Sequence, residues 1–147
     1  MTEVEFHTGV ADRSGFACRL LRKAYSRGAR VLVTAPPELL AELDHRLWTF
    51  EERDFLPHIR VPGAAAALAR RTPIWLAANA GAARAEGAPR VLVNLGAEAP
   101  ADPQALDRLI EIVGAEPEEA ERGRGRWRAY KAAGLQITHH VPGGGRD

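Results

Sequence analysis

Cysteine is nearly absent from this 147-residue chain: Cys18 stands alone, so no intrachain disulfide can form and a disulfide-stapled framework is excluded. Cys18 lies among apolar residues at helical spacing, which predicts a buried structural thiol. Long apolar runs are lacking as well, so no transmembrane helix is predicted. The start, Met1 to His7, has neither the basic opening nor the apolar stretch of a secretory signal, and a soluble cytoplasmic protein is the expectation. Charge of one sign is also missing. Twenty Lys and Arg against 19 Asp and Glu give a formal net charge of +1, which excludes a general polyanion binder and confines any anion site to a local patch.

Motifs that carry chemistry are missing too. No G-x-x-x-x-G-K-[ST] occurs, and no G-x-G-x-x-G lies between a strand and a helix, so no nucleotide cofactor is predicted. His7, His45, His58, His139 and His140 are scattered, and only the last two are adjacent, a spacing that on a strand turns them to opposite faces. That is not the spacing of a zinc site, and no metal is expected. Cys18, Ser14 and Ser26 sit in no nucleophile elbow, so no catalytic residues are assigned and the chain does not read as an enzyme.

What is present alternates between two periods. Val4 to His7 alternates like a strand, and Phe16, Leu20, Leu21 and Ala24 recur at helical spacing from Arg13 until Gly28. Arg30 to Thr34 is a short β-branched run of the kind buried on both faces of a parallel sheet, and Pro36-Pro37 then opens a helix through Leu47. Pro73 to Leu76 and Arg90 to Leu95 read as further strands. Asp102 is expected to cap a helix carrying Leu106, Leu109, Ile110 and Val113 on its apolar stripe. A last helix follows, then Gly134 as its C-cap and Leu135 to His139 as an edge strand. The alternation predicts a three-layer α/β fold with a mainly parallel sheet, as one domain over residues 1–140 and a flexible tail over 141–147.

The stretch Arg122 to Lys131 places five cations and two aromatics in ten residues without an acid. On a helix, Arg124, Trp127, Arg128 and Lys131 share one face at i, i+3, i+4 and i+7, while Tyr130 turns to another neighbour. Guanidinium forks hold carboxylates or phosphates, and an exposed indole receives an apolar group, so the face suits an acidic peptide ending in a hydrophobic residue. Single-stranded nucleic acid fits as well. An ordinary solvated face is the other reading, because Glu116, Glu118, Glu119 and Glu121 lie upstream and pairs such as Glu118–Arg122 and Glu121–Arg124 would stabilise it. Gly123 and Gly125 either delay the helix start or admit a close approach. A second cluster gathers Trp48, Phe50 and Phe55 within eight residues, either as a helix end packed on the core or as an anchor for a partner.

Together these segments resemble the chi subunit of bacterial DNA polymerase III, an accessory protein of the clamp loader. The likeness rests on L-D-x-x-L-W-T-F from Leu43 to Phe50, F-L-P-H from Phe55 to His58 and R-x-R-W-R-x-Y-K-x-x-G from Arg124 to Gly134, in matching order over nearly the whole chain. The resemblance implies a mononucleotide-binding-like topology without a phosphate loop, no enzymatic activity, and a partner in the acidic, phenylalanine-ended C-terminal tail of single-stranded DNA-binding protein. Arg124, Trp127 and Arg128 match the positions that hold the tail, and Val113 lines the pocket at the end of the preceding helix. Arg126, Tyr130 and Lys131 belong to the same motif. Phe55, with Trp48 and Phe50 around it, matches a second interface, with the psi subunit or another clamp-loader subunit. The resemblance thus implies an adaptor that meets nucleic acid mostly indirectly and no membrane. Exposed Arg–carboxylate contacts imply weak, salt-sensitive affinity, which several tails on one partner would offset.

Overall fold

The computed structural model describes residues 2–49 and 56–141. In chain order its elements are β1 (Glu3–Val10), α1 (Arg13–Ser26), β2 (Val31–Thr34), α2 (Pro37–Thr49), β3 (His58–Arg60), α3 (Ala66–Arg71), β4 (Ile74–Ala77), β5 (Val91–Asn94), β6 (Arg108–Gly114), α4 (Pro117–Ala132) and β7 (Ile137–His140). The strands form one sheet in the order β3-β4-β2-β5-β6-β1-β7, with every pairing parallel. Parallel strands need crossovers, and the helices supply them on both faces. This is the three-layer α/β arrangement that the alternating pattern predicts.

Alternation along each strand sorts side chains between two cores. Val31, Val33, Ile110 and Ile112 join Cys18 and Leu21 of α1 and Leu43 and Leu47 of α2 on one face. Leu32, Leu109, Val113, Val4 and Phe6 join Tyr130 of α4 on the other. Cys18 has no exposed surface, and burial pushes its thiol up to about 11, so it stays protonated and inert at neutral pH.

One predicted element is wrong. The residues after Asp102 form only a 3-10 turn at Pro103–Ala105, and Leu109, Ile110 and Val113 lie on β6, not on a helix. All six residues from Leu109 to Gly114 are buried, so apolar side chains lie on both faces around the buried Glu111 and the period of two that would reveal the strand is lost. Val113 therefore reaches the pocket region from a strand end. β3 and α3 are elements that the sequence pattern does not predict. Phe50, Phe55 and the expected tail beyond Val141 lie outside the described residues.

Candidate binding cavity and the polar pair beneath it

The last helix, α4, starts earlier than its glycines would allow on propensity alone. Pro117 occupies the first turn, Glu118 and Glu119 follow it, and Lys131 sits in the last turn, all favourable to the helix dipole. Gly123 is consequently interior. A Cβ there would lie 2.8 Å from Val113 Cγ1, so the glycine admits close approach of α4 to the end of β6. Gly125 faces open space, with only Arg128 at 4.0 Å, and no packing reason for it is evident.

The stripe that α4 turns to the sheet is Gly123, Arg126 and Tyr130. Beneath it stands Glu111 of β6, fully buried. Arg126 Nε donates to Glu111 Oε1 at 2.8 Å, while Tyr130 Oη at 2.6 Å and Asn94 Nδ2 at 3.0 Å donate to Oε2. Three donors converging on two oxygens require an accepting carboxylate. Burial pushes the Glu111 carboxyl upward, and the Arg126 charge opposes that shift. Arg126 and Tyr130, grouped by sequence with the docking face, are thus interior residues that fasten α4 to the sheet. Their polar character masks a core-facing stripe, and neither offers its polar group to a ligand.

The opposite flank of α4 is open. Arg124, Trp127 and Arg128 line a cavity of about 580 Å³ whose floor comes from Phe6 and Thr8 of β1, Val113 of β6 and His139 of β7. Trp127 packs against Phe6 at 4.9 Å between ring centroids and meets His139 edge-on at 5.3 Å. Thr8 Oγ1 lies 2.7 Å from His139 Nε2, placing the polar atoms of the floor together at the β7 side. At the rim, the Arg124 and Arg128 side chains are 60% and 67% exposed. Both lean on Glu121, at 2.6 and 3.7 Å, and the Arg124 hydrogen bond holds that carboxyl below its ordinary range. Glu121–Arg124 is the ion pair expected from spacing, whereas Arg122 turns to Glu119 at 3.6 Å. Arg122, Arg124 and Arg128 are thus solvated and paired with acids of their own helix, and Arg124 and Arg128 also border an apolar hollow. Lys131 is exposed but does not line it.

Sequence had offered no signal for Phe6, Thr8 or His139 as part of this site. Their contribution follows from the crossover that carries the chain from β6 over α4 to β7, setting β7 beside β1.

The first strand-to-helix turn, where doubly wound folds cradle phosphate, is already filled. Asp12 caps α1 by accepting from the Gly15 N–H at 3.1 Å, and Arg46 Nη1 donates to the same carboxylate at 2.7 Å. A helix N-terminus that would attract an anion thus holds the chain's own acid. Near the end of α2, Trp48 is 60% exposed, with its ring 5.1 Å from that of His58.

Comparison with known proteins agrees with this layout. The family described as DNA polymerase III chi subunit, HolC, matches residues 1–138. The chain belongs to that family. A relative from Pseudomonas aeruginosa, named DNA polymerase III subunit chi, is 34% identical over 146 residues, covering 95% of this chain and 96% of the relative. Membership makes the chain a subunit of the DNA polymerase III assembly in DNA replication, with partners in the replisome. Among the described residues no helix is long and apolar enough to cross a membrane.

Proposed function

We propose that this chi-family chain is a non-catalytic, cytoplasmic adaptor, acting as one domain over residues 1–140, that takes the acidic C-terminal tail of single-stranded DNA-binding protein in the α4 cavity. The observation that carries the reading is the pairing of an apolar hollow, walled by Trp127, Phe6 and Val113, with an exposed rim of Arg124 and Arg128. An acidic segment ending in an aromatic residue complements both parts: the ring fills the hollow and the carboxylates displace Glu121 from the guanidinium forks. Lys131 adds charge at the flank. The exposed Trp48 surface, with Phe50 and Phe55 near it in sequence, is the proposed contact with the psi subunit or another clamp-loader subunit, an aromatic anchor of the kind found in interface cores. Nucleic acid is then met mostly through the tail-bearing partner.

Fluorescence titration with a short acidic peptide ending in phenylalanine tests the site. Arg128→Glu removes one rim contact and adds a repelling charge, so affinity is expected to fall about tenfold or more. The unfolding curve is expected to stay unchanged, because Arg128 is 67% exposed. Unchanged peptide affinity in the variant would refute the site. Binding of a long oligonucleotide with steep salt dependence, alongside no peptide binding, would favour direct nucleic-acid recognition instead.

A further inference from the structure

The face of β1 and β7 opposite the cavity gathers donors that are far apart in sequence. In the parallel β1–β7 pairing His7 lies beside His140, and Glu5 precedes His7 by two residues on the same face. The Nε2 atoms of His7 and His140 lie 3.8 and 3.5 Å from the Glu5 carboxylate, and one donor atom from each of the three residues lies within 4.8 Å of the others. The two imidazoles stack at 4.7 Å and 13°, and Phe16 of α1 backs the His7 ring at 5.1 Å. His7 and Glu5 are partly buried, while His140 is about half exposed, so water can reach the group.

Two imidazoles and one carboxylate on an open strand edge form the donor set of three-ligand transition-metal sites. The spacing is wider than bonds of about 2.0–2.1 Å to one ion would give, and because an imidazole lone pair lies in its ring plane, one ring must turn out of the stack for both Nε2 atoms to face a common point. The Glu5 carboxylate faces His7, His140 and the Arg108 guanidinium. Arg108 Nη2 donates to Glu5 Oε1 at 2.9 Å, leaving Oε2 on the His140 side. That guanidinium orients the carboxylate and weakens its attraction for any cation. Hard ions held by charge alone are thereby disfavoured against metals that imidazole prefers.

We propose that Glu5, His7 and His140 form a solvent-open site for an imidazole-preferring divalent metal, with Zn2+ as its probe, which clips the edge strand β7 to β1. The clip bears on the cavity, because the neighbour of His140, His139, points to the other face and walls the hollow beside Trp127.

Calorimetric titration of the untagged full chain with Zn2+ tests it, alongside His140→Ala and His7→Ala. One ion per chain is expected, with affinity lowered roughly tenfold or more in each variant. A Zn2+-dependent rise in melting temperature is expected for the natural sequence and not for His140→Ala. His140 is exposed enough for its variant to fold even if His7→Ala, beside Phe16, does not. No saturable binding at millimolar Zn2+, or equal affinity in His140→Ala, overturns the assignment.

Discussion

Replacing Arg126 by methionine is expected to lower the unfolding free energy by about 3–5 kcal/mol, measured by urea denaturation at neutral pH. The change removes the charged partner of Glu111, which has no exposed surface, and leaves its carboxylate with Tyr130 and Asn94 as donors. A buried charge without a counter-charge carries a desolvation penalty that two neutral donors do not offset. The loss has a defined pH dependence. Burial already raises the Glu111 carboxyl above its ordinary value, and without Arg126 it rises further. Over the window between the unfolded and folded values the folded variant then holds a proton that the unfolded chain has released. Stability of the variant consequently declines as pH rises through that window, and the deficit relative to the natural sequence is smallest in acid. Adding Glu111→Gln to Arg126→Met should recover most of the loss at neutral pH, since an amide needs no counter-charge. A loss below about 1 kcal/mol would mean that the pair is hydrated.

Trp127→Ala is expected to weaken the acidic, phenylalanine-ended peptide about 30-fold, the effect of losing an anchor worth about 2 kcal/mol. Trp127 is the one large aromatic that α4 contributes to the cavity, and its packing on Phe6 fixes the ring as a wall. Removing it takes away the surface on which an incoming ring would stack while leaving Arg124 and Arg128 in place. Trp127→Phe should keep part of the affinity, which separates a stacking surface from mere bulk. The binding comparison belongs at a temperature where circular dichroism shows both variants folded. Unchanged affinity in Trp127→Ala would show that the peptide does not enter the hollow.

These two residues also show what was legible in the sequence. Strand and helix order could be read through β2, α2, β4 and β5, because short β-branched runs and amphipathic helices carry their periods openly. β6 could not, since burial on both faces puts apolar residues on either side of Glu111 at a spacing that imitates a helix. Trp127 and Arg126 are neighbours in one basic stretch, and only the packing of α4 turns one to the cavity and the other to Glu111. Composition would have assigned both to the surface, because a buried arginine is rare and its partner lies 15 residues away on another element. Phe6, Thr8 and His139 were illegible for a different reason. They converge through the pairing of the first strand with the last, a contact that no local pattern announces. The same pairing brings His7 to His140, which sequence spacing alone had read as scattered.

The most direct test of the proposed docking site is a heteronuclear NMR titration of the isotope-labelled chain with the acidic, phenylalanine-ended peptide. Perturbations are expected at Thr8, Val113 and His139 and along Gly123 to Arg128, with the Trp127 indole N–H among the largest. Little change is expected near Trp48. Perturbations centred on Trp48, or absent from the folded protein at saturating peptide, would contradict the assignment of the α4 cavity as the docking site.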